Sequence, residues 1–398
     1  MKTAQWKAWC MVAAPAALLA ILPFPGTVAL RLTLLTITVV TAAAMWRRLA
    51  PPPLPCKLPI VLWAGVALLS VAWSFDPRYS LGELKNEVGY TLLGFIGFYV
   101  LAVDAAQGRR MLGGLAMGAA VMLGGAFVLQ SGQRIWIEDT FVGGSGTFST
   151  YLVVIAPLVL APLLAAGRIG SAGVALGVVL FAGFLTGQKI FVAVGALEVA
   201  LLLWLLSRAR LVQWNRAWLA AAGVIGVIVL GLMLRQILIN RAMTDNPLQD
   251  NMVQDVRVRQ WPLVMRTILS HPLGAGFGRE AMHKAYPDLL PGDVPLFWHA
   301  HNLFLNYGLE AGIAGMLVLL LVFAALLREF WRLCAQSGPS ASSTQRVIGA
   351  AGFAMVAGVM ARNMTNDFFM RDMSLLFWSL SGLLLGWGSR LATQVKPS

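Results

Sequence analysis

Twelve apolar runs, separated mostly by short polar breaks, make up the greater part of the chain. They fall at about residues 8–25, 27–46, 58–75, 88–103, 111–129, 148–167, 171–187, 190–206, 217–235, 300–326, 346–361 and 372–388. Each approaches the roughly 17–25 residues a helix needs to cross the hydrocarbon of a bilayer. The pattern predicts an all-α polytopic membrane protein with about 12 transmembrane helices. Gly and Pro recur inside the runs, which membrane helices tolerate because neighbours satisfy the freed backbone groups.

One break is long. It divides the chain into residues 1–235 with nine runs, a polar stretch at 236–299, and residues 300–398 with three more. A long loop in a compact protein is usually functional or separately folded. Its middle, "DNMVQDVRVRQWPLVMRTILSHP", reads as one or two amphipathic helices, with Pro262 expected to break or restart the pattern. On one continuous helix Arg259 and Arg266 share a face and Arg257 sits above Trp261. The Gly-rich turn "HPLGAGFG" follows.

Composition agrees with the pattern. The chain is 58% hydrophobic and 12% charged, where soluble domains are about a quarter charged. Charge adds orientation. With the N-terminus in the cytoplasm, the cytoplasmic segments hold sixteen Lys and Arg residues against Asp104 and Glu329. The opposite side carries thirteen cations and thirteen anions, and Arg31, Glu198 and Glu310 fall inside runs. By the positive-inside rule both termini are cytoplasmic and 236–299 is on the far side. The net charge of +13 is then a topology signal that calls for no nucleic-acid partner. The first run follows Lys2 and Lys7 and reads as a retained signal anchor. Cys10, Cys56 and Cys334 lie towards the cytoplasm, which suggests neither disulfides nor a zinc site.

All four histidines, His271, His283, His299 and His301, lie in or beside the long loop, together with six of the basic residues. For any single arginine there, an amphipathic helix lying against lipid phosphates is an equal reading. The cluster beside the histidines points instead to an anionic substrate. Guanidinium groups suit a pyrophosphate, and a neutral imidazole suits removal of a proton from an attacking hydroxyl. Metal chemistry is not expected, because the carboxylates Asp245, Asp250, Asp255, Asp288 and Asp293 are dispersed and the His299–His301 pair lacks further ligands. Two other extracytoplasmic segments are read as plain connections: "SFDPRYSLGELKNE", and "MARNMTNDFFMRDM" with Arg371 and Asp367, four apart, as a local pair.

At His301 the sequence resembles the O-antigen ligases of the O-antigen ligase and polymerase-like membrane superfamily. Their motif is His followed by Asn, Ser or Gln, nine residues, then Gly-x-x-Gly. Here it is His301, Asn302, "LFLNYGLEA", then Gly312 to Gly315. An arginine shortly before a tryptophan, then Pro-Leu-Gly-x-Gly, completes the pattern as Arg257, Trp261 and "PLGAGFG".

The resemblance implies a glycosyltransferase in the bacterial inner membrane with a periplasmic active site. It would move O-antigen from undecaprenyl pyrophosphate to a sugar hydroxyl of lipid A-core, inverting, without metal, nucleotide or other cofactor. Carried over, His301 is the base and Arg257 holds pyrophosphate. The family's other arginine falls at Lys189, which keeps the charge but loses the bidentate fork, so Arg259 or Arg266 would share its load. Asn302, His299, Trp261 and Glu310 are supporting residues, and Gly312 and Gly315 would allow close helix packing. The alternatives are an O-antigen polymerase or a protein O-oligosaccharyltransferase, and, from another class, a transporter or flippase for a lipid-linked glycan.

Overall fold

A computed structural model describes residues 2–133, 136–213, 216–242, 256–287, 289, 299–336, 342–367 and 371–393. All the regular elements among them are helical. They are α1 (Lys2–Ile21), α2 (Val28–Leu49), α3 (Lys57–Ser70), α4 (Pro77–Leu84), α5 (Tyr90–Leu101), α6 (Ala105–Gln130), α7 (Ser145–Ala165) and α8 (Ile169–Leu185). There follow α9 (Lys189–Arg208), α10 (Arg216–Ala242), α11 (Val256–Ser270), α12 (Arg279–Ala285), α13 (Leu303–Ala335), α14 (Ser343–Asn363) and α15 (Arg371–Thr393). A π-helical turn over Lys85–Gly89 joins α4 to α5.

A helix occupies each of the twelve apolar runs. Among the described residues six helices, α2, α6, α7, α9, α13 and α14, are long and apolar enough to cross a membrane. The protein is therefore a polytopic helical membrane protein. Large apolar side chains point outward along these helices, such as Ile37 and Val40 on α2 and Val121 and Val128 on α6, as expected for surfaces that meet lipid.

Packing between helices uses small residues. Gly114 and Gly118 of α6 lie against the backbone of Ala16 and Ala20 on α1, and Gly382 and Gly386 of α15 against that of Phe95 and Tyr99 on α5. A Cβ at any of these positions would overlap a carbonyl oxygen, so the four-residue spacing sets how closely the axes approach. Trp378 of α15 fills the centre, stacked on Trp63 at 5.2 Å and edge-on to Phe95 at 5.6 Å. Arg390 of α15 donates to the carbonyls of Tyr99, Val100 and Ala102, closing the C-terminal end of α5.

The helix ends gather at two opposite ends of the bundle. At one, Tyr99 reaches Pro52 and Pro53, Arg208 lies over Trp331, and Arg346 donates to the Ala209 carbonyl. At the other, Phe75 bonds to Ala275, Lys284 to Asp76, and Arg279 to Asp367. The two ends are joined by α13, 33 residues long with a kink at Gly312.

One expectation changes. α11 runs unbroken from 256 to 270 with Pro262 inside it. Of the long stretch 236–299, residues 243–255 and 290–298 lie outside the described residues, as do Asp245, Asp250, Asp255, Asp288 and Asp293.

Candidate active site

The residues from His299 to Asn302 form a strap at the head of α13, and nearly every polar group on it is tied down. Asn302 is the N-cap: its Oδ1 accepts from the N–H groups of Phe304 at 3.0 Å and Leu305 at 3.2 Å. Its Nδ2 donates to the Met364 carbonyl at 2.9 Å, which links the strap to the end of α14. Asn and Ser are strong N-caps, so a capping residue directly after the histidine has a local physical reason. One turn into α13, Asn306 accepts from the Ala300 N–H at 2.8 Å and donates to the Asp367 carboxylate. From α11, Trp261 donates its indole N–H to the Ala300 carbonyl at 2.7 Å.

His301 itself sits at φ +50°, a left-handed conformation that is costly for a residue with a Cβ. Its N–H donates to Nδ1 of His299 at 3.0 Å, and the two rings lie tilted by 49° with centroids 4.1 Å apart. Nδ1 of His301 lies 3.4 Å from Oδ1 of Asn366. The strap thus holds a half-buried imidazole on a backbone conformation that few non-glycine residues adopt.

Below the strap, α13 is broken. Gly312 has φ 72° and ψ −170°, a region open in practice only to glycine. The break leaves carbonyls without helical partners, and the turn after α11 supplies them. Ala275 donates to the Leu309 carbonyl at 2.8 Å, Gly276 donates to that of Glu310 at 2.9 Å, and Ile313 donates back to Pro272 at 3.0 Å. The "HPLGAGFG" turn is therefore the structural complement of the Gly312 break. Gly312 makes room for a loop and not for a second helix, which corrects its expected packing role, whereas Gly315 faces Tyr307 and Ala311 within α13 and Val66 of α3.

Charges surround the histidine pair. Arg257 of α11 is within electrostatic reach of His299 and of Arg362 at the end of α14. Arg362 is fully buried and donates to Ser149 Oγ at 3.0 Å, on the first turns of α7. Arg279 of α12 forms an ion pair with Asp367 at 2.8 Å. Burial, reinforced by Arg279, His301, Arg257 and His283, pushes the His299 pKa down to about 2, so that this ring stays neutral. Glu310 is buried and Glu87 half-buried, with Asp367 and Arg279 among their charged neighbours. Lys189 starts α9, next to Gln188, whose side chain donates to Ser145 Oγ at the start of α7. Among the described residues no three His, Cys, Asp or Glu side chains gather as a metal site.

Residues 173–320 match the O-antigen ligase family model. The resemblance carried by the His301 motif is borne out over this stretch. The matched segment contains Lys189, Arg257, Trp261, His299, His301, Asn302, Glu310, Gly312 and Gly315. No curated protein matches the chain.

The ligase-family segment alone does not complete the cluster. His301, His299, Asn302, Trp261 and Arg257 meet as a group, whereas Arg266 is exposed on α11 and forms no ion pair among the described residues. The side chain of Arg259 lies outside the described residues. Asn366, Asp367 and Arg362 join from the segment read as a plain connection. Asp367 pairs with Arg279 instead of Arg371, which reaches Glu83 at 3.5 Å. The segment around Asp76 is also no mere link, since it docks the Gly-rich turn through Phe75 and α12 through Lys284. No spacing in the sequence marks these partners. Their only signal was the density of Asn, Asp and Arg between the last two spans.

Proposed function

We propose that this protein is an O-antigen ligase, moving O-antigen from undecaprenyl pyrophosphate to a sugar hydroxyl of lipid A-core. The observation that carries the reading is the strap: His301 is held at an unfavourable φ beside a neutral His299, with Arg257 within reach of His299. A strained, tied imidazole next to guanidinium groups suits one base acting near one polyanion.

In this mechanism the imidazole of His301 takes the proton of the acceptor hydroxyl. The freed oxygen attacks the anomeric carbon of the donor from the face opposite the pyrophosphate. The anomeric C–O bond breaks, its electron pair leaves with undecaprenyl pyrophosphate, and the configuration inverts. Arg257 and Lys189 hold the pyrophosphate and offset the charge that grows on it. The reaction runs without nucleotide or metal.

The same reading puts twelve spans in the inner membrane, both termini in the cytoplasm and His301 at the periplasmic face. It is supported by the way contacts sort the helix ends, since Arg208, Arg346 and Arg390 fall at the end opposite His301. The excess of cations at that end is what the positive-inside rule requires of a cytoplasmic face.

The test uses purified protein, lipid-linked O-antigen and lipid A-core, with chelator and no nucleotide, and reads capped lipopolysaccharide on a gel. Wild type should transfer and a folded His301→Ala variant should not. Elongation of the donor glycan without capping would move the polymerase reading ahead.

A further inference from the structure

Two hydrogen bonds converge on a single atom near His301. Oδ1 of Asn366 accepts from the backbone N–H of Asp367 at 3.1 Å, and the same atom faces Nδ1 of His301 at 3.4 Å. A backbone amide can only donate, so the atom it meets must be the amide oxygen and not the nitrogen. An amide oxygen can only accept. The imidazole nitrogen opposite it must therefore carry the proton. His299 is fixed by the same logic in the opposite sense: its Nδ1 accepts from the His301 N–H, so its own proton is on Nε2.

We propose that Asn366 is a positioning residue that fixes the His301 proton on Nδ1, making Nε2 the nitrogen that takes the acceptor's proton. When that proton arrives, the imidazolium charge strengthens the Nδ1–H bond to the amide oxygen, and a contact of 3.4 Å shortens towards charge-assisted length. Asn366 is held for this task. It is buried, and its neighbour Asp367 is anchored by Arg279 and Asn306, the residue that also ties down the strap at Ala300. An amide keeps the ring neutral and basic where a carboxylate would tend to keep it protonated. The charged groups of the site are Arg257 from α11, His283 and Arg279 from α12 and Arg362 from α14, with Asp367, Glu310 and Glu87 as the acidic ones.

The catalytic meaning of this assignment rests on the reading of His301 as the base, but the tautomer does not. The first arm of the test therefore needs no substrate. Full-length protein with 15N-labelled histidine is studied by NMR near neutral pH, and the His301 signals are assigned by their loss in His301→Gln. The nitrogen without a proton should be Nε2, recognised by its coupling to both carbon-bound ring protons. If it is Nδ1, the proposal is overturned. In Asn366→Leu the ring should revert to the Nε2–H form that imidazole side chains prefer.

The second arm is transfer activity. Asn366→Leu should lower kcat by roughly 10–100-fold, part of what general base catalysis contributes, with KM for both lipids unchanged. Asn366→Asp should recover much of that loss. Its acidic pH limb should move to higher pH, because a carboxylate beside the ring stabilises imidazolium. A folded Asn366→Asp as inactive as Asn366→Leu, or an unchanged profile in both variants, would overturn the proposal. The Nδ1–H form in a wild type that transfers nothing from a verified substrate pair would support the positioning and sink the ligase reading. Should Asn366→Leu fail to fold, the wild-type spectrum alone still decides the tautomer.

Discussion

Ile313 donates its backbone N–H to the carbonyl of Pro272 across the break in α13. That bond exists because Gly312, one residue earlier, turns the chain out of the helix and leaves no Cβ in the way. Alanine there would enter a glycine-only region and overlap the Pro272 oxygen. Gly312→Ala should therefore lose about 1–3 kcal/mol from the backbone alone, and more from the overlap. Thermal unfolding in detergent checks this. A variant with unchanged Tm and full transfer would show that the loop is not locked to the break.

Asn302 has two jobs that substitutions can separate. Asn302→Ser keeps a capping oxygen but loses the bond to Met364, while Asn302→Leu loses both. Loss of the cap costs about 1 kcal/mol. Stability should thus fall in Asn302→Leu and hold closer to wild type in Asn302→Ser. Transfer should fall in both if the link to α14 helps place His301. Equal stability losses in the two variants would count against the capping role.

Arg279 and Asp367 make a largely buried pair, with the two side chains 19% and 6% exposed. Asp367→Ala strands a guanidinium and takes away the acceptor of Asn306. Breaking such a pair from one side costs about 3–5 kcal/mol, while replacing both partners by apolar groups costs far less. The double variant Arg279→Met with Asp367→Leu should be more stable than Asp367→Ala alone, as read by chemical denaturation. Simple addition of the single costs would refute the coupling.

Local features of the site were legible in the sequence and long-range ones were not. Asn302 follows His301 directly and caps the helix it begins, so a short motif contained both the residue and its reason. Trp261 and the Gly-rich turn were visible as pattern, but their partners, Ala300 and the Gly312 break, lie about forty residues further on. Glycine spacing in an apolar run reads as helix packing, because nothing nearby shows that a loop will dock there. Asp367 was matched with Arg371 through separation alone, whereas its partner is 88 residues away. Pro262 misled for a similar reason: α11 continues through it, although the residue lacks an N–H.

His299 ties stability to pH. Burial pushes its pKa down to about 2 in the folded protein, against an ordinary 6.5. Between those values the unfolded chain binds more protons than the folded one, so stability rises with pH and is lost as pH falls below about 6.5. From pH 6.5 to 4.5 the loss from this one group is about 2 kcal/mol. His299→Asn retains an acceptor for the His301 N–H but cannot be protonated. Its stability should fall less steeply over that range than that of wild type, and identical slopes would mean that His299 titrates normally.

Lys189 stands where the resemblance places an arginine, and the ligase mechanism makes its replacement informative. A lysine offers a point charge and an arginine a planar fork that grips two phosphate oxygens at once. If Lys189 holds pyrophosphate, Lys189→Ala should raise the donor KM, and Lys189→Arg should hold it or lower it, while KM for lipid A-core stays put. Arg257→Lys should raise the donor KM, and Arg257→Glu should abolish transfer in protein that still inserts and folds. Kinetics with each lipid varied separately would make the comparison. A Lys189→Ala variant with an unchanged donor KM would leave the pyrophosphate to Arg257 and its neighbours, and a fully active, folded Arg257→Glu would remove the anion site from α11 altogether.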